Sequence, residues 1–68
     1  MYKRLQTCVS EKRINKKEMA EEVKMNYQTL LRKIAGKTKF TLDEAVAVHK
    51  YIKKYFKDIS IEELFQEG

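Results

Sequence analysis

The chain has 68 residues, 43% apolar and 37% charged, with no Pro, two Gly, one Cys and one His. A domain of this size builds a single hydrophobic centre; a lone Cys excludes an internal disulfide, and one Cys with one His excludes a zinc site made of sulfur and imidazole alone. The formal charge of +5 is uneven: residues 1 to 39 hold eleven Lys or Arg against four Glu, and residues 40 to 68 hold four Lys against six acids, so attraction for polyanions belongs to the first half.

No apolar run approaches the roughly 20 residues of a membrane span, and the N-terminus leads into charged sequence rather than a signal-peptide core. A cytoplasmic, all-α domain over residues 1–68 is the expectation, with no membrane contact. Tyr2, Leu5 and Val9 recur at helical spacing with Cys8 beside them, which predicts a first amphipathic helix over residues 2–13. Lys12 and Arg13 would close it with the charge that a helix C-terminus favours.

Residues 15–36 read as two short helices and a tight turn. Asn15 and Asn26 stand where N-caps belong, since an Asn oxygen accepts a backbone N–H that lacks a partner in the first turn. Each is flanked by an apolar pair, Ile14 with Met19 and Met25 with Leu30, at the spacing of a hydrophobic staple. The second helix, over residues 16–24, would turn Met19, Ala20 and Val23 inward; the third, over residues 27–35, would bury Leu30 and Ile34 and stop at Gly36.

Thr41 and Glu44 form a capping box at the head of a fourth helix running to about Lys57, with Leu42, Ala45, Val46, Ile52 and Phe56 as its apolar stripe. Ser60 and Glu63 repeat the box, stapled by Ile59 and Leu64, for a fifth helix through about Gln66. His49 falls within the fourth helix's stripe and reads as a partly buried, hydrogen-bonded side chain, and Cys8 as a small buried hydrophobe. No nucleophile lies at a useful spacing from His49, and the Glu21-Glu22 and Glu62-Glu63 pairs diverge on a helix surface. Enzymatic activity is therefore not expected, and neither cofactor nor metal nor small-molecule substrate is implied.

Placed at about 100° intervals, the third helix puts Leu30 and Ile34 on one side and Gln28, Thr29, Arg32 and Lys33 across from them. Gln pairs with the N6 and N7 edge of adenine, Arg forks onto O6 and N7 of guanine, and Thr bonds a base edge or touches a thymine methyl. Tyr27 and Asn26, at the helix start, are within reach of a base edge or a phosphate. Lys16 and Lys17 at the head of the second helix, Lys33 on the third, and Lys37 and Lys39 after it are candidate phosphate contacts on the two sides of a groove. The stripe Lys50, Lys53, Lys54 and Lys57 reads as a solvated face with snorkelling stems.

With these residues in place, the chain resembles the helix-turn-helix regulators of the phage repressor and Cro type, the xenobiotic-response-element family. The matching pieces are Asn15 to Val23; Asn26 to Lys37 with its Leu30-Leu31-Arg32-Lys33-Ile34-Ala35-Gly36 run; Phe40-Thr41-Leu42-Asp43-Glu44-Ala45; and Ile59 to Phe65. The resemblance implies a compact five-helix, lambda-repressor-like DNA-binding domain whose third helix lies in the major groove of double-stranded DNA, with Tyr27, Gln28 and Arg32 toward bases and Asn26, Lys16, Lys17 and Lys37 on the backbone. It further implies a homodimer at least on DNA, formed through helices four and five or only on the duplex. Two positions depart from the family: Lys24 stands where Gly is usual in the turn, and Leu31 where a polar residue is usual. The runner-up reading from another class is a protein-interaction module that uses the same helix, through Leu31 and Tyr27, to grip a repressor or polymerase subunit.

Overall fold

Side-chain caps set where every helix after the first begins; the first starts behind Tyr2, which supplies none. The computed structural model describes residues 2–66 and contains α1 (Lys3–Glu11), α2 (Lys16–Glu22), α3 (Tyr27–Ile34), α4 (Leu42–Lys53) and α5 (Ile61–Leu64), with no strand among the described residues. Asn15 Oδ1 accepts the N–H groups of Lys17 and Glu18 at 2.9 and 3.2 Å. Asn26 Oδ1 does the same for Gln28 and Thr29 at 2.9 and 3.3 Å. At α4 the capping box is complete, with Thr41 Oγ1 accepting from Glu44 N–H and Glu44 Oε1 accepting from Thr41 N–H. At α5 the box is half formed: Ser60 Oγ accepts from Glu63 N–H, but the Glu63 carboxylate takes the Ser60 hydroxyl rather than its backbone N–H.

The first three helices end in one pattern. Arg13 and Ile14 donate to the carbonyls of Ser10 and Val9, Lys24 and Met25 to Glu21 and Ala20, and Gly36 and Lys37 to Lys33 and Arg32. These pairs of reversed bonds satisfy the last helical carbonyls and require a left-handed residue between them. That residue is Arg13 (φ 49°), Lys24 (φ 57°) and Gly36 (φ 86°) in turn. Only Gly36 adopts this conformation without steric cost. The left-handed step drops Ile14 into the core and Met25 to its edge, directly before the two Asn caps. It also ends α1 at Glu11, so Lys12 and Arg13 lie beyond the last helical turn that they were expected to close.

One core joins all five helices: Leu5, Met19, Leu30, Val48, Ile52 and Leu64 are its fully enclosed members. Tyr2, Phe40 and Phe65 close one side as a triangle of rings with centroids 5.1–5.7 Å apart, tying the start of the chain to the α3–α4 loop and to the end of α5. Gln6 on α1 donates its amide to the Ile34 carbonyl at 2.9 Å, satisfying a terminal acceptor of α3 from a neighbouring helix.

The fourth helix departs from its expected stripe. It buries Val48, Tyr51 and Ile52, while Leu42 is 77% exposed and Val46 42% exposed. The inward face lies about a third of a turn away from the expected one, because Glu44 rather than Leu42 faces α3. The helix also stops at Lys53 instead of Lys57. Lys54 N–H bonds Tyr51 O, and the N–H groups of Tyr55 and Phe56 both bond Ile52 O, a tightening that turns the chain and lets Phe56 pack against the core. His49 Nε2 then meets Ile59 O at 2.9 Å, securing the loop into α5.

Candidate nucleic-acid interface

A solvent-facing strip of α3 is the most distinctive polar surface of the chain. Gln28, Thr29 and Arg32 are exposed, and none of their side chains makes a hydrogen bond or ion pair among the described residues. Leu30 and Ile34, on the opposite side, are buried, so the helix is held by one face and free on the other. Tyr27 is 40% exposed at the head of the helix. Leu31 is half-buried on the flank between Tyr27 and Arg32 and lies outside the central cluster.

Lys33 is the correction. It was expected on the outer face, yet it is 9% exposed and its ammonium is bonded to the Glu44 carboxylate. The helical angle explains this: Lys33 lies about 60° from Leu30 and about 100° from Arg32, so it belongs to the core flank. Its charge is paired inside the domain rather than presented on the outer face. Glu44 feels the same contact from the other side, where the Lys33 hydrogen bond and the Thr41 backbone N–H hold its carboxyl below the usual carboxylate value.

The remaining lysines stay outside. Lys16, Lys17, Lys37 and Lys39 are exposed, and none forms an ion pair among the described residues. Lys16 lines a shallow cleft with Gln6, Ile14 and Ile34, which places it beside the C-terminal end of α3. At the head of α2 the N–H groups of Lys17 and Glu18 are taken by Asn15, and Glu18 sits in that first turn, so the exposed cationic groups there are the Lys16 and Lys17 ammoniums. Asn26 has its Oδ1 committed to the α3 cap, which leaves the amide nitrogen for an outside acceptor. Protein-family models, curated proteins and solved structures contain no match to this chain.

Of the α2 acids, Glu22 lines a cleft with Lys50, Tyr51 and Lys54 at α4. Burial first, then Tyr55 and after it Glu18 and Glu22, push the Tyr51 hydroxyl up to about 12. Cys8 is buried in α1, and burial raises its thiol above the ordinary value, so it packs as a neutral side chain. No helix among the described residues is long and apolar enough to cross a membrane. The arrangement is thus a helix seated by its buried face with an amide, a hydroxyl and a guanidinium facing out; Lys16 lies beside its end, Lys37 and Lys39 follow it along the chain, and Lys17 is exposed at the head of α2. Sequence reasoning missed the inward path of Lys33 and the exposure of Leu42 and Val46; the angular position of Lys33 next to Leu30 is the signal that separates it from Arg32.

Proposed function

We propose that the chain is a sequence-specific, double-stranded DNA-binding transcriptional regulator with a lambda-repressor-like fold, a Cro-like repressor of a phage or mobile element that works in the cytoplasm as a homodimer at least on DNA. The observation that carries this reading is the exposed, unpartnered Gln28, Thr29 and Arg32 strip on a helix whose other face is buried. An α-helix fits the major groove, where amide and guanidinium groups read adenine and guanine edges bidentately. Gln28 and Arg32 would read bases, with Thr29 and Tyr27 beside them. Lys16, Lys17, Lys37 and Lys39, with the Asn26 amide, would hold phosphates and set the register. No cofactor enters this scheme.

Selection from a pool of random duplexes tests it. A single enriched site, palindromic for a two-fold dimer, is the expected result. A pool that stays random while binding remains strong overturns sequence reading and leaves a general polyanion binder. Absence of DNA binding at low salt overturns the DNA reading altogether.

A further inference from the structure

One flank of α3 carries an apolar side chain that neither the core nor the Gln28, Thr29 and Arg32 strip absorbs. Leu31 is half-buried, yet among the described residues it belongs neither to the core cluster nor to the apolar side chains packed against that cluster. Helical geometry explains its position: Leu31 lies about 60° from Ile34, which is buried, and about 60° from Gln28, which is exposed. It sits one turn after Tyr27, itself 40% exposed. An apolar row, Tyr27 to Leu31, thus runs directly beside the polar row Gln28 to Arg32.

We infer that Leu31 reads the 5-methyl group of a thymine beside the base that Gln28 contacts, which makes it a specificity-determining residue for the duplex. The inference rests on the DNA reading of the α3 strip and names a further part of what that strip selects. An α-helix about 10–12 Å across fills a major groove about 12 Å wide, so the flanks of the helix meet base edges as its outer line does. Among those edges the thymine methyl is the apolar group. Against another base Leu31 would lose that contact or cover a donor or acceptor without partnering it, and either disfavours that base. The surroundings favour DNA over an apolar protein partner. The row is narrow, and around it lie Arg32, Lys16 beside the end of α3 and Lys37 after it, none ion-paired among the described residues. That charge complements a phosphate backbone.

Deoxyuridine in place of thymine is the probe, since it removes the methyl alone and keeps base pairing. The duplex is the one that wild type enriches from a random pool, and its thymines are replaced one at a time. Affinities are measured for wild type, Leu31→Ala, Leu31→Gln and Thr29→Ala, with circular dichroism to confirm the fold of each. At one thymine, replacement should weaken wild type about three- to fivefold, the worth of one buried methyl group. Leu31→Ala and Leu31→Gln should lose a similar factor on the thymine duplex and become indifferent to the replacement there. Thr29→Ala should keep the full sensitivity at that position, because Thr29 lies on the opposite flank, about 160° from Leu31. An enriched duplex whose thymines all tolerate replacement, or one without thymine, overturns the inference while sequence-specific binding stands. Sensitivity that Leu31→Ala retains overturns it as well and gives the methyl to another side chain. A chain that enriches no duplex overturns the DNA reading and this inference together, and leaves the row of Tyr27 and Leu31 to a protein partner.

Discussion

The Lys33 ammonium of α3 closes onto the Glu44 carboxylate that also caps α4 through the Thr41 N–H. One carboxylate therefore fixes the start of α4 and the seat of α3. The two partners differ in solvent access, with side chains 11% exposed for Lys33 and 29% for Glu44, and this makes their removal unequal. Glu44→Ala loses half of the capping box and strands an enclosed ammonium, at an expected cost of about 1–3 kcal/mol. Lys33→Met removes the enclosed charge and leaves Glu44 hydrated and still bonded to Thr41, so its cost should be under about 1 kcal/mol. Urea unfolding of both variants checks the order; a larger loss for Lys33→Met would contradict it.

The same pair sets an acid dependence. The Glu44 carboxyl lies below its ordinary value of 4.5 in the folded chain, first through Lys33 and then through Thr41. A depressed folded value means that the unfolded chain takes up the proton first as pH falls. The stabilisation is complete above the ordinary carboxylate value and disappears as pH drops through the lowered one. Glu44→Gln cannot titrate, so its stability deficit relative to wild type should be full at pH 7 and shrink steadily toward pH 3. A deficit independent of pH over that span, followed by thermal unfolding, would assign the effect to geometry alone.

Much of this architecture is legible from local rules. Asn15, Asn26, Thr41 and Ser60 cap the helices that their side chains announce, and Leu30 and Ile34 face inward as their spacing requires. Helix ends are legible where a single residue type decides them, as at Gly36. They are less so at Arg13, which an unfavoured conformation places outside the helix whose charge pattern it completes. The inward face of α4 was misread because Leu42 and Val46 satisfy the same periodicity that Val48 and Ile52 do. Choosing between two apolar faces a third of a turn apart needs the position of a neighbouring helix, and the Lys33–Glu44 contact supplies it. That same contact withdrew one lysine from the candidate interface, and no local signal in α3 alone names its partner on α4.

The turn between α2 and α3 holds a left-handed lysine, Lys24 (φ 57°). A residue with a Cβ there costs about 1–2 kcal/mol, of which Gly returns a part by being more flexible when unfolded. Lys24→Gly should therefore stabilise the chain by roughly 0.5–1 kcal/mol, with Arg13→Gly (φ 49°) behaving alike. Lys24→Ala is the control, because it removes the same charge but keeps the Cβ, and it should bring no gain. Equal thermal midpoints for Lys24→Gly and Lys24→Ala would show that charge, not backbone, governs the turn.

Base reading and phosphate holding separate by the way in which affinity is lost. Gln28→Ala and Arg32→Ala should each cost about 1–3 kcal/mol on the preferred duplex and much less on random DNA, because the lost bonds go to base edges. Lys17→Ala should weaken both duplexes alike and lower the slope of log affinity against log salt by about 0.9, one phosphate's share of released counterions. Lys33→Met should leave that slope unchanged, since its ammonium is bonded to Glu44 and does not face outward. Titrations on specific and random duplexes at several salt concentrations read all four variants together. Equal losses on the two duplexes for Gln28→Ala and Arg32→Ala would remove the α3 strip from sequence reading. A slope lowered by Lys33→Met as much as by Lys17→Ala would mean that the ion pair opens on the duplex, and the α3–α4 contact would then be part of binding rather than of the fold alone.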